Sequence, residues 1–187
     1  MKKLSVPALM LSLVLAAPAL AKEKAGVNLP DSITAEGKSL KLNGVGLRKK
    51  AIFKVYVAGL YVENPSQDAN TVIKSDQVKQ VKMVMLRDLD KEKIIEAVKD
   101  GFEKNNKAQM PALTERLNNF TASIPDVKKG DTLTLTYVPG KGTSVTSKTG
   151  QALSVQGKDF ADALFSVWLG REPVSEDLRD EMLGKED

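Results

Sequence analysis

The chain contains neither cysteine nor histidine, and aromatic residues are scarce, with one tryptophan, three tyrosines and five phenylalanines among 187 residues. The first absence leaves no disulfide and no thiolate nucleophile, so folding is independent of oxidation. The second removes the imidazole of a Ser-His-Asp triad and, with cysteine also missing, the ordinary ligands of zinc and copper. Any catalysis must therefore rest on Arg, Lys, Tyr, Ser, Thr or carboxylates. A strong charge of one sign is missing too, since 28 basic residues face 24 acidic ones. The Lys and Arg residues occur in ones, twos and threes among acids, without aromatic interleaving, which argues against a nucleic-acid surface.

Only one long apolar run is present, and it stands at the N-terminus. Lys2 and Lys3 precede apolar Leu4 to Ala17, and Ala19-Leu20-Ala21 supplies small residues at a cleavage site. This is the plan of a secretory signal, with cleavage expected after Ala21. The run is short for a membrane span and ends abruptly at Pro18 and Lys22-Glu23-Lys24. A lipoprotein is excluded because no cysteine is available to carry the lipid. The expectation is a cleaved signal over residues 1–21 and a single domain over 22–187, periplasmic or secreted, with no stable membrane span. The signal takes two lysines and no acid with it, so a net charge of +4 becomes +2.

Along the domain, Lys22 to Pro30 reads as an extended lead-in. Ile33 to Ala35 and Ser39 to Leu42 form a hairpin candidate parted by Glu36-Gly37-Lys38, and Gly44-Val45-Gly46 reads as a turn. Ile52 to Glu63 is rich in β-branched and aromatic residues and stops at Asn64-Pro65. Its period-two split puts Tyr56, Ala58 and Leu60 on one face and Val55, Val57, Gly59 and Tyr61 on the other. Both faces are largely apolar, which predicts a central strand covered on both sides. A short helix over Ser66 to Lys74 precedes a strand over Val78 to Leu86, with Val81, Met83 and Met85 on one face. Ile94, Ile95, Val98 and Phe102 lie at helical spacing within Asp90 to Asn105, and another helix is predicted from Met110 to about Phe120. Asp131 to Val138 alternates strictly and opens a meander through Thr143 to Lys148 and Ala152 to Gln156. Helices follow over Phe160 to Leu169 and from a Ser175-Glu176-Asp177 cap to near Gly184. Strands and helices are segregated rather than alternating, which predicts an α+β fold: an open-faced, mostly antiparallel sheet with helices layered on one side.

No constellation in this order announces an enzyme. Gly44-x-Gly46 lacks the third glycine and the strand-to-helix context of a nucleotide loop. Asp88, Asp90 and Glu92 lack the glycine turn and distal glutamate of a calcium loop, and helix capping explains them. No metal or cofactor is expected, and no residue is assigned as catalytic. Met83, Met85 and Met110 could line a cavity or simply fill the core. Arg48 and Tyr56 are the candidate ligand-binding pair. A guanidinium donates two parallel hydrogen bonds and a phenol a third, which suits a carboxylate or enolate. The alternative is an exposed arginine and a core tyrosine, and the residues alone leave both open.

Gly44-Val45-Gly46-Leu47-Arg48 followed by Phe53-Lys54-Val55-Tyr56-Val57-Ala58-Gly59-Leu60-Tyr61 resembles the glycine-rich turn, arginine and K-x-x-x-x-G-x-Y strand of the chalcone isomerase family, in its bacterial exported branch. The resemblance continues through Lys91 to Phe102, Phe160 to Leu169 and Ser175, and spans about Pro30 to Gly184. It implies an open-faced sheet with helices on one side and a ligand cleft between them. The family includes flavanone-forming isomerases, fatty-acid-binding proteins and non-catalytic relatives. Arg48 matches the isomerase arginine. Tyr56 falls where the isomerases carry threonine, Asp90 near the catalytic tyrosine and Ala97 at the asparagine, so the groups that organise isomerisation are not matched. Arginine with tyrosine instead resembles the fatty-acid-binding members, which clamp a carboxylate. The resemblance implies a non-catalytic periplasmic protein whose partner is a small amphipathic carboxylate or fatty acid. The alternatives are an isomerase or lyase acting on a phenolic enone through Arg48, and an envelope interaction module without a ligand.

Overall fold

The computed structural model describes residues 21–151 and 154–185. The expected signal segment lies outside the described residues except for Ala21, which opens the first strand. Lys22 to Pro30 is not a plain lead-in but a hairpin, β1 (Ala21–Lys24) with β2 (Val27–Pro30). Ala25 and Gly26 both take positive φ, 51° and 80°, which matches the right-handed twist of a two-residue hairpin.

The main sheet has seven strands in chain order: β3 (Ser32–Ala35), β4 (Lys38–Lys50), β5 (Phe53–Val62), β6 (Lys79–Met85), β7 (Thr132–Val138), β8 (Gly142–Ser147) and β9 (Gly150–Gln151). Every neighbouring pair is antiparallel. The helices are α1 (Ala69–Lys74), α2 (Lys91–Asn106), α3 (Met110–Thr121), α4 (Lys158–Leu169) and α5 (Glu176–Met182). Strand and helix segregation thus gives the expected α+β architecture. The last meander strand is predicted over Ala152 to Gln156, whereas β9 stands at Gly150–Gln151 and, within the predicted range, Val155 contributes one isolated bridge to Thr143. Residues 152–153 of the predicted strand lie outside the described residues.

Gly44-Val45-Gly46 is not a turn. It lies inside β4, a strand of 13 residues that continues past it to Lys50, with a register shift against β5 between Leu42 and Gly44. The glycines serve close packing instead. A Cβ on Gly46 would stand 2.6 Å from Leu178 Cδ1 and 2.9 Å from the Leu178 carbonyl oxygen, so only a bare backbone lets α5 lie on the strand. A Cβ on Gly44 would meet the Glu181 and Met182 carbonyls in the same way.

Strand β5 is covered on both faces, as its composition predicts. Ala58, Leu60 and Val62 join Val81, Met83, Leu133 and Leu135 against the helices. Val57 on the other face packs with Leu29, Val45 and Leu47, so the β1–β2 hairpin supplies the second cover. Gly59 leaves room there for Leu29, whose Cδ1 would be 2.7 Å from an added Cβ. Helix α4 is buried from Phe160 to Leu169 almost without interruption, and Phe160 stacks at tilted angles, 5.5 Å from both Phe102 and Phe120.

Candidate functional site

Arg48 and Tyr56 are direct partners across the β4–β5 ladder. Gly44, Gly46 and Arg48 share a face by period two, and it is the face on which α5 and the other helices lie. Strand β4 outruns β3, whose pairing ends at Lys41, so the outer edge of β4 needs other partners. Glu181 of α5 provides one: its Oε2 accepts the Leu47 N–H at 2.7 Å, while its Oε1 accepts from Lys24 Nζ at 2.5 Å. This carboxylate fixes the backbone immediately before Arg48. A register shift between Arg48 and Lys49 then re-aims the strand end.

The half-buried guanidinium donates one hydrogen bond to the Lys49 carbonyl. Arg116 and Arg179, by contrast, hold carboxylates at 2.6 Å and 3.0 Å, from Asp159 and Asp180. Among the described residues Arg48 has no such carboxylate partner, and most of its donor fork is uncommitted.

Tyr56 is held from the helical side. The indole Nε1 of buried Trp168, on α4, donates to the Tyr56 hydroxyl oxygen at 3.0 Å. The phenol therefore accepts from protein while its own proton has no protein acceptor among the described residues. Burial lifts the phenol above its ordinary pKa, and the Trp168 bond and the positive charge of Arg48 offset only part of that rise. The hydroxyl is thus protonated at neutral pH and serves as a donor.

Both groups line a cavity of about 300 Å3 between the sheet and helices α2, α3 and α4. Its walls are mainly apolar, with Met83, Met85, Leu133 and Leu135 from the sheet and Ile94, Val98, Phe120 and Val167 from the helices. Of the three methionines considered, Met110 is not among the lining residues; it packs at the edge of the helical core. At the mouth, Arg48, Lys50 and Lys93 also border an outer polar groove of about 560 Å3. Asp88 lines the cavity, and its carboxylate accepts the Lys129 N–H at 2.8 Å. Asp90 does not line it and pairs with Lys93 at 3.1 Å. Ala97 does line the cavity and offers no polar group. No cluster of acids able to hold a metal ion occurs among the described residues, and no helix among them is long and apolar enough to cross a membrane.

The structure thus brings together the two residues singled out from the sequence. Trp168 falls within the helix predicted over Phe160 to Leu169, and that periodicity alone does not mark it as a site residue. Its indole N–H was the available signal, because a buried Trp donor requires an acceptor. Lys50, Arg87 and Lys93 at the mouth carry no distinguishing local pattern.

No curated protein matches the chain by sequence. Its fold is similar to a crystal structure of a fatty-acid binding protein from Arabidopsis thaliana, with a TM-score of 0.67 and 20% identity over 88% of this chain and 95% of that one. The profile described as "Chalcone isomerase-like" matches residues 21–184, nearly all of the domain described above. The order of glycines, Arg48 and the β5 strand that the sequence displayed is therefore that of a true relative, and the chain belongs to the chalcone isomerase-like family.

Proposed function

We propose that the protein is a non-catalytic carrier or sensor of a small amphipathic carboxylate, a fatty acid, acting outside the cytoplasm. The observation that carries this reading is the juxtaposition of Arg48 and Tyr56, both with donors to spare, at the polar end of an apolar cavity. A carboxylate at that point accepts from the guanidinium and the phenol, and the hydrocarbon tail enters the space between the methionines and the α2–α4 side chains. The cavity lies at the lower end of the size range of ligand pockets, which suits a single small ligand. The fatty-acid binding protein of similar fold supports the ligand class. The export signal expected in residues 1–21 supports the location.

An isomerase needs polar groups around the reacting enone, and the cavity lining has Ala97 where the resemblance calls for an asparagine. Binding is the better use of what is there. Solvent extraction of the purified protein followed by mass spectrometry tests the reading. The expected result is fatty acid at about one molecule per chain. Protein that yields none and takes up no added palmitate would contradict it.

A further inference from the structure

Two large apolar side chains stand exposed among the described residues, and they are adjacent: Ile52 at 89% and Phe53 at 54%. They lie at the tip of the β4–β5 hairpin, where Lys50 pairs with Phe53 and Ala51-Ile52 makes the turn. Turn chemistry does not explain this choice. Ala51 takes φ 52°, a position that favours glycine or asparagine, and nothing in a two-residue turn calls for an isoleucine in water.

The charged side chains that flank the tip on β4 and β5, with Arg87 beside Phe53, are cationic. Lys49, Lys50, Lys54 and Arg87 are all exposed, and none forms an ion pair with a carboxylate among the described residues. The Arg87 guanidinium lies 4.9 Å from the centre of the Phe53 ring, so apolar and cationic surface are contiguous. The neighbouring acids are already engaged: Asp90 by Lys93 at 3.1 Å, Asp131 by Lys148 at 2.8 Å, and Asp88 by the Lys129 N–H at 2.8 Å.

We propose that this hairpin tip docks on an anionic phospholipid surface, with Ile52 and Phe53 entering the interface and the four cations meeting lipid phosphates. Exposed apolar residues inside a collar of four cations complement such a surface, where burial and electrostatic attraction add. Phe53, Lys50 and Arg87 also line the cavity mouth, so docking sets that mouth against the bilayer. The surface stands on its own residues and does not depend on what the cavity holds.

The test is flotation of the purified protein with vesicles of phosphatidylcholine, with and without phosphatidylglycerol, in the absence of fatty acid. The protein is expected to bind the phosphatidylglycerol vesicles and to be released by salt. The triple variant Lys49→Gln, Ile52→Ser, Lys54→Gln leaves the cavity lining intact and shares the same N-terminus. It should partition on the order of tenfold less. Because the chain has no cysteine, Ile52→Cys carries an environment-sensitive dye at one site. Its emission should shift to the blue on phosphatidylglycerol vesicles, while the same dye at Lys38→Cys, at the opposite end of β4, should not respond. Equal partitioning of parent and triple variant, or a label at position 52 that stays in water, would overturn the proposal and leave the tip to a protein partner. Neither result bears on fatty-acid extraction.

Discussion

The chemistry of the site turns on two side chains, held at three points by different neighbours. Arg48 is set by the Glu181 grip on the Leu47 N–H, Tyr56 by its place opposite Arg48 in the ladder, and the phenol oxygen by the Trp168 indole. The indole bond leaves Tyr56 only the role of donor toward the cavity. Trp168→Phe keeps most of the packing and deletes that bond. It should cost about 1 kcal/mol in stability, and it should raise the Tyr56 pKa further, because a donor to the phenol oxygen favours the phenolate. Denaturant unfolding and the NMR titration of the tyrosine ring check the two effects separately. An unchanged Tyr56 titration would show that the hydrogen bond does not operate in solution. Arg48 and Tyr56 could be singled out from the sequence because a guanidinium and a phenol together suit a carboxylate, although an exposed arginine and a core tyrosine fitted the residues alone equally well. Trp168 could not be, since an i, i+4 apolar stripe looks the same whether or not one member also donates a hydrogen bond.

Among the elements, the strands and long helices were legible because their periodicity reports burial directly. Met83 and Met85, and Leu133 and Leu135, face the helices as their period-two positions require. Three features were not. The β1–β2 hairpin has only Val27 and Leu29 as apolar anchors, and its stability comes from Leu29 entering the space above Gly59, a contact between distant segments. The glycines of β4 look like a turn because glycine serves turns and close packing alike. Lys79 occupies an inward position on β6, two residues before Val81, where the pattern calls for an apolar residue. It is 0% exposed and donates to the carbonyls of Val72, Ile73 and Ser75 at 3.1, 2.5 and 3.1 Å, closing the C-terminal end of α1, with Asp162 at 3.9 Å. Burial pulls its pKa down to about 8, and Asp162 offsets only part of that fall. Between about pH 8 and the ordinary lysine value of 10.5, the unfolded chain holds a proton that the folded one has released, so stability rises with pH through this window. Tyr56, Tyr61 and Tyr137, whose pKa values are all raised by burial, act in the opposite direction as pH passes through the ordinary tyrosine value of 10.0, and offset part of the gain at the top of the window. The unfolding free energy should therefore increase by on the order of 1–2 kcal/mol from pH 8 to pH 10. Lys79→Met should remove that increase, and a parent protein whose stability is flat across the window would refute the assignment.

For the molecule as a whole, the sheet and helices α2, α3 and α4 enclose the cavity and the β1–β2 hairpin covers the other face of the sheet, without a cysteine to staple them. Helix α5 lies on bare glycine backbone at β4, while α4 fills the centre and carries Trp168 to the cavity wall. The family and the α+β arrangement could be read from the order of motifs along the chain, because that order follows the sheet's strand order. The resemblance implied a cleft between sheet and helices but not its size, since the volume depends on where helices stop rather than on which residues they contain. The central claim is that Arg48 and Tyr56 recognise a carboxylate rather than merely bordering an apolar space. The most direct measurement is calorimetric titration with a fatty acid and with the fatty alcohol of the same chain length, on the parent protein and on Arg48→Ala. The account predicts that the parent prefers the acid by about tenfold, as for a charge-assisted pair that is partly open to water, and that the preference vanishes in the variant while alcohol binding is retained. Equal affinity for acid and alcohol in the parent, or an acid preference that survives Arg48→Ala, would contradict it.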